Sequence, residues 1–270
     1  MAAQFEAMCK RMHHGFAARN GLYAALLAAG GFTGIKRVFE REYGGFLAVF
    51  GEGRDPDADK ITHALGEQWE TLRIAIKPYA AMGALHAPLD AIFDIMAEHP
   101  FEPEQVDRID IHMSHSAYHH GWWVLERPIT PIGAQMNVAY AVAVAIIDGA
   151  AMVQQFAPQR IDRDDVWTLI PKITAHHDPE FDSGASARRT RMVVRLTSGA
   201  SFERFVATAR TIGRPMTNEE VAAKYRLLTQ SIVDPQRQRA IEDRIMNLEK
   251  MADVGELTAL LRPEVGSAFT

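Results

Sequence analysis

Apolar residues recur along the chain mainly with helical spacing. Residues 1–29 are rich in Ala, Leu and Met and stop at Gly30-Gly31, which predicts a helical hairpin. A helix is predicted to begin near Pro88 and to end before Pro100. Residues 135–151 are rich in Ala and Val on every side, which is typical of a helix covered by its neighbours.

Two segments alternate between apolar and polar residues, as strands do. Ile109, Ile111 and Met113 alternate with polar residues and predict a strand with one buried face. Residues 192–196 and 202–207 flank a Thr-Ser-Gly turn and predict a hairpin. Helices, then strands mixed with helices, then helices again indicate the α+β class.

Short polar motifs predict where other elements begin and end. We expect a short helix over residues 35–42 and a loop over residues 51–59 that separates two regions. In the C-terminal third, Thr217-x-x-Glu220 and Asp253-x-x-Glu256 fit capping boxes, and Asp234-Pro235 places proline at a first helical position.

Composition narrows the class of protein. With 270 residues, 47% of them hydrophobic, and a net charge of -5, the chain reads as an ordinary globular protein without a basic face for nucleic acid or an anionic membrane. Cys9 is the only cysteine, which suits a reducing cytoplasm and excludes an internal disulfide. The longest strongly apolar stretch has about half of the ~20 residues that a membrane span requires.

Two lysines stand in patterns that suit an anionic ligand. Lys10 and His14 share a face if their segment is helical, with small residues beside them. Lys77 ends an apolar alternation directly before a proline, and His86 follows nine residues later. The alternatives are a solvated basic helix turn for the first pair and a surface lysine for the second.

Four histidines, at positions 112, 115, 119 and 120, surround Tyr118. We interpret them as loop residues near packed aromatic side chains, since no carboxylate falls at a matching ligand position. We therefore expect no metal. Because nucleotide-binding and serine-hydrolase motifs are also missing from the sequence, any chemistry is predicted to be acid–base work on an anion.

Five blocks resemble the MmgE/PrpD family in order and approximate spacing. They are KRMHHGFAARNG, EREYGGFLAVF, LRIAIKPYAAMGALHAP, ERPITPIGAQMNVAYAVAVAIIDG and NLEKMADVGELTALL. The resemblance implies an all-helical domain followed by a smaller α+β lid domain, and only the C-terminal part of the family protein. On this basis we assign residues 1–60 to the end of the helical domain, 61–215 to a lid with a mostly antiparallel sheet, and 216–270 to C-terminal helices.

The resemblance also implies a function. The family comprises cofactor-independent dehydratases, decarboxylases and an epimerase of small polycarboxylates, and its members are typically homodimers. Decarboxylation of cis-aconitate is favoured because this sequence has Gln135-Met136-Asn137 where many members have Arg-His-Ser. The fungal-type decarboxylases largely share the Gln-Met-Asn form. A 2-methylcitrate dehydratase or a related epimerase is the alternative. An inactive fragment, or a polycarboxylate-binding subunit that needs a separately encoded N-terminal half, is the alternative of another class.

Site residues follow by matching blocks. Lys10 and Lys77 correspond to the family's two active-site lysines, and Tyr118 stands in for a tyrosine that decarboxylases of the animal type place just before an Arg-Pro pair. His14 and His86 are expected to bind substrate. The resemblance implies no cofactor, no metal and a cytoplasmic enzyme.

Overall fold

The computed structural model describes residues 9–183 and 189–267, without the side chains of residues 10 and 11. Its contacts divide the chain into two compact units, residues 9–74 and 75–267. The boundaries that the sequence suggested, at 60/61 and 215/216, stay predictions.

The first unit contains helices and turns. Helix α1 (Cys9–Ala29) runs unbroken for 21 residues, so the predicted hairpin is wrong for the described residues. It ends at Gly30-Gly31, as expected, because Gly31 adopts a φ of 88° and the amide of Phe32 donates back to the Leu27 carbonyl. Residues 35–42 form turns rather than a helix, and a short helix α2 (Phe46–Phe50) follows.

Apolar side chains cover much of the surface of α1. Leu22 and Leu26 are 63% and 61% exposed, and they lie one helical turn apart on the same face. Tyr23 and Leu27 beside them are also more than half exposed. This unit therefore presents a continuous apolar strip to its surroundings, which is unusual for a soluble monomer.

The second unit is an α+β fold. Its helices are α3 (His86–Glu98), α4 (His115–Gly121), α5 (Pro131–Met136), α6 (Val138–Asp148), α7 (Pro158–Ile161), α8 (Asp164–Leu169), α9 (Arg210–Gly213), α10 (Asn218–Thr229), α11 (Pro235–Met246) and α12 (Gly255–Leu261). Its strands are β1 (Val106–Met113), β2 (Ile173–His177), β3 (Thr190–Leu196) and β4 (Ser201–Val206).

The four described strands form one mixed sheet in the order β2-β1-β3-β4. Strand β1 pairs parallel with β2 and antiparallel with β3, and β3 and β4 form the predicted antiparallel hairpin. The apolar face of β1, Ile109, Ile111 and Met113, is fully buried. Helices α3 and α6 pack within the same core, which confirms the prediction of a covered helix in the Ala- and Val-rich segment.

The opposite face of the sheet is polar and held by ion pairs. Asp110 on β1 receives hydrogen bonds from Arg108, from His176 on β2 and from Arg195 on β3. Burial alone would raise the pKa of Asp110, but these three donors outweigh it and hold the pKa below its ordinary value. The carboxylate thus joins three neighbouring strands.

Caps define the C-terminal helices. Thr217 and Glu220 form the predicted capping box of α10, and Asp234 caps α11 ahead of Pro235. The second predicted box is wrong, because the Asp253 side chain accepts from the amide of Gly255 while Glu256 pairs with Arg244 at 3.0 Å. None of the helices in the described part of the chain has the length and apolar character needed to cross a membrane.

Candidate functional site

Residues 77–82 form a short segment that leads into α3 and is fixed by main-chain contacts. The amide of Ala80 donates to the Ala151 carbonyl at 2.9 Å, and that of Met82 donates to the Gln135 carbonyl at 2.9 Å. The side-chain amide of Gln135 donates in turn to the Ala80 carbonyl at 2.8 Å. The segment is thereby held to both ends of the buried helix α6, at Gln135 just before it and at Ala151 just after it, and Gln135 belongs to the triplet that distinguishes this sequence.

Lys77 stands at the start of this segment. Its Nζ donates to the carbonyl of Ala81 at 3.1 Å, so the side chain turns back along the segment that carries it. Lys224, on α10, donates from its own Nζ to the carbonyl oxygen of Lys77. Two ammonium groups therefore hold carbonyls at the two ends of one short turn of chain.

His86 lies at the base of the same segment. Its ring is fully buried, with Nε2 3.3 Å from the Ala81 carbonyl and Nδ1 2.6 Å from the hydroxyl of Thr211. Since Lys77 donates to the same Ala81 carbonyl, the structure brings these two candidate residues together. The substrate-binding role of His86 stays a prediction, because the contacts described here are with protein atoms.

Tyr79 anchors the segment to α3 and α9. Its hydroxyl donates to Asp90 at 2.7 Å, and the amide of Arg210 donates to the other oxygen of the same carboxylate at 2.7 Å. Burial, reinforced by the charge of Asp90, raises the pKa of Tyr79 well above its ordinary value. The phenol thus stays protonated and keeps donating across the physiological range.

Tyr118 lies on α4, which packs on the end of the segment. A methyl group added at Gly121 of this helix would come within 2.7 Å of Leu85 and 3.2 Å of Met82. This close approach needs the small residue and places the helix of Tyr118 beside the Lys77 segment. The Tyr118 side chain is half-buried, and its ring contacts that of His119 at 5.2 Å.

The sequence suggested that the histidines near Tyr118 are loop residues, and this prediction is wrong. His112 lies on β1, and the other three lie on α4, where Ser114 caps the helix by accepting from the amide of Ala117. The rings of His115 and His119 are 4.3 Å apart, one helical turn along the chain. Across the described ranges, no group of three or more His, Cys, Asp or Glu residues is arranged to hold a metal ion.

Lys10 and His14 belong to the other unit. Both lie on α1, and His14 is exposed. The side chain of Lys10 falls outside the described part of the structure. Convergence of Lys10 and Lys77 on one anion therefore stays a prediction.

Sequence reasoning missed Lys224, Asp90 and Thr211. It singled out Gln135 only as part of a triplet that distinguishes this sequence, without its contact to the Lys77 segment. Lys224 carried a weak signal, since Val221, one helical turn before it, puts an apolar and half-buried side chain on the same side of α10. The stem of such a lysine can lie along apolar surface while its ammonium keeps a polar partner. The contacts of the other three residues gave no local signal, because their partners are distant in sequence.

The fold and the site together indicate a class of protein. An α+β unit in which a fixed main-chain segment carries a lysine, braced by a second lysine and a buried histidine, suits the recognition of a small anion. Comparison with known protein families identifies the family of this chain. The MmgE/PrpD C-terminal domain matches residues 79–250, and the MmgE/PrpD N-terminal domain matches residues 1–59. The chain belongs to the MmgE/PrpD family.

Individual relatives are similar over nearly the whole chain. The cis-aconitate decarboxylase-like protein oryM of Aspergillus oryzae is 41% identical over 98% of this chain. A cis-aconitate decarboxylase of Aspergillus terreus is 38% identical over 99%, and the human cis-aconitate decarboxylase is 26% identical over 96%. The chain spans 57% of the length of the two fungal relatives and 54% of the human one.

Proposed function

We propose that this chain is part of a cofactor-independent lyase that acts on a small tricarboxylate, with decarboxylation of cis-aconitate to itaconate as the favoured reaction. The observation that carries the proposal is the fixed presentation of Lys77, in a chain 38–41% identical to fungal proteins named as cis-aconitate decarboxylases or as decarboxylase-like.

Each proposed site residue has a chemical task. Lys77 and Lys10 neutralise substrate carboxylates, because a tricarboxylate loses its hydration on binding and needs charged donors in return. His14 binds substrate, and His86 does so by donating its Nε2 hydrogen to a substrate oxygen in place of the Ala81 carbonyl. In the reaction, the bond between one carboxyl carbon and its neighbour breaks, and carbon dioxide leaves. The electron pair stays on the carbon skeleton, and Tyr118 supplies the proton that completes the product.

The proposed assembly is a cytoplasmic homodimer completed by further helices of the N-terminal domain. Two observations support the further helices. The relatives are longer than this chain, and α1 exposes an apolar strip at Leu22 and Leu26. If those helices are encoded separately, this chain alone is a polycarboxylate-binding subunit or an inactive fragment.

A turnover assay tests the proposal. The purified chain is assayed with cis-aconitate, alone and mixed with the N-terminal half of the Aspergillus oryzae relative, and itaconate is measured. Lys77→Met is expected to lower kcat/KM by about 100-fold or more, which is the scale of losing one group that stabilises developing charge. Lys172→Met is the control, since Lys172 likewise donates to a main-chain carbonyl, that of Val106 at 2.5 Å, but lies outside the segment of residues 77–82.

The outcomes separate the alternatives. Turnover of 2-methylcitrate without turnover of cis-aconitate would establish the dehydratase instead. Absence of turnover of either compound in both preparations would contradict the lyase proposal and favour an inactive fragment.

A further inference from the structure

We propose that Lys224 is a positioning residue for Lys77, so that the C-terminal helix α10 takes part in the site; this inference rests on the proposed function. The contact itself is direct. The Lys224 ammonium donates to the carbonyl of Lys77, across 147 positions of sequence.

The backbone around Lys77 allows this single contact to fix the course of the segment. Lys77 precedes Pro78, and a residue before proline is confined to extended conformations, so few orientations are open to the Lys77 carbonyl. Holding that carbonyl fixes the peptide plane from which the next residues depart. The Lys77 ammonium then holds the Ala81 carbonyl at 3.1 Å, so one lysine braces the start of the segment and the other its end.

The surroundings of Lys224 favour a specific role over a surface contact. Lys224 is half-buried, and so is Val221, which lies one helical turn before it on the same side of α10. Because the ammonium is partly removed from water, burial lowers the pKa of Lys224. A cation in such a place is retained where a good acceptor compensates its lost hydration, and the Lys77 carbonyl is that acceptor.

A rival role for Lys224 is direct contact with a substrate carboxylate. The two roles differ in what they change without substrate. Positioning predicts that the backbone of residues 77–82 loosens in the free protein when the ammonium is removed. Direct contact predicts weaker substrate binding with an unchanged backbone.

The first experiment is amide hydrogen exchange on the full chain, without substrate. We expect Lys224→Met to accelerate exchange at Ala80 and Met82 by about 10-fold, because their hydrogen bonds to Ala151 and Gln135 depend on the course of the segment. Lys224→Arg keeps a cationic donor and is expected to exchange nearly as the unmodified protein does. Lys172→Met should leave both amides unchanged.

Exchange in strand β1 reports whether the fold survives. If Lys224→Met raises exchange throughout β1 as well, Lys224→Gln, which keeps a shorter donor, replaces it in the same comparison. Unchanged exchange at Ala80 and Met82 in a folded variant overturns the proposal. So does equal acceleration in Lys224→Met and Lys224→Arg.

The second experiment measures kinetics on cis-aconitate. Positioning predicts a lower kcat with a smaller change in KM, and recovery of kcat by Lys224→Arg. A raised KM with normal exchange would assign Lys224 to direct binding and overturn the positioning role. Should the unmodified chain turn over neither cis-aconitate nor 2-methylcitrate, alone or mixed with the N-terminal half of the relative, the proposed function fails, while the exchange experiment still decides whether Lys224 holds the segment.

Discussion

The ring of His86 meets the hydroxyl of Thr211 at 2.6 Å although the two residues are 125 positions apart. On the other side of the ring, Nε2 faces the Ala81 carbonyl, which can only accept. The neutral ring therefore carries its hydrogen on Nε2, and Nδ1 accepts from Thr211. This arrangement fixes the tautomer of a histidine that shares an acceptor with Lys77.

Thr211→Val is expected to destabilise the protein by about 1–3 kcal/mol, because it leaves a buried ring nitrogen without its hydroxyl partner. Thr211→Ser keeps the hydroxyl and should lose much less. Urea unfolding followed by circular dichroism gives the comparison. Equal stability of the valine and serine variants would mean that the hydroxyl contact contributes nothing.

Asn137 uses both polar atoms of its side-chain amide. Its side-chain oxygen accepts from the amides of Ala139 and Tyr140, and its nitrogen donates to the Trp123 carbonyl at 2.9 Å. Asn137→Ala removes the cap of α6 and is expected to cost about 2 kcal/mol in the free energy of unfolding. Asn137→Ser keeps a capping oxygen without placing an oxygen against the Trp123 carbonyl, so its loss, measured by the same urea titration, should be smaller.

Asp110 predicts a pH dependence. A carboxyl whose pKa is lowered by folding stabilises the protein above its unfolded value of about 4, and this contribution disappears as the pH falls through the lower, folded value. Arg108, His176 and Arg195 are the charged or titratable groups that face it.

Asp110→Asn should therefore cost about 3 kcal/mol near pH 7, since it removes the charge from a buried group with three donors. The difference from the unmodified protein should shrink below about pH 4, where Asp110 takes up its proton. Unfolding curves collected from pH 3 to 8 test this, and a difference that stays constant with pH would contradict the assignment.

The exposed strip on α1 predicts association. Replacing Leu22 and Leu26 with lysine should reduce self-association of the chain and its binding of a hydrophobic dye. Leu72, which is 85% exposed but lies outside α1, provides the control substitution Leu72→Lys. Sedimentation velocity decides, and a chain that is monomeric before any substitution would contradict the expectation.

Local patterns predicted much of the fold. The periodicity around Pro88 gave helix α3, the alternations gave β1 and the β3–β4 hairpin, and Thr217 with Glu220 gave the start of α10. These features depend on residues within one or two turns of each other. Helix α4 was missed because its short polar sequence lacks an apolar period, and only the Ser114 cap signals it.

The site was harder to predict for the same reason. Lys77 was marked by the proline after it and by resemblance, but its partners come from far along the chain. Lys224 reaches the Lys77 carbonyl across 147 positions, and the Arg210 amide reaches Asp90 across 120. Such contacts follow from the packing of helices against one another, which a local pattern does not specify.

The parallel pairing of β1 with β2 has a consequence for how the chain folds. Asp110 and His176 meet across these strands although 66 positions separate them, and helices α4 to α8 fill the interval. Strands β3 and β4, by contrast, are joined by a turn at residues 197–200. Closing a long loop costs more conformational entropy than closing a short one. We therefore expect the hairpin to form early and β2 to dock late, which leaves one edge of β1 open for pairing with other chains during synthesis.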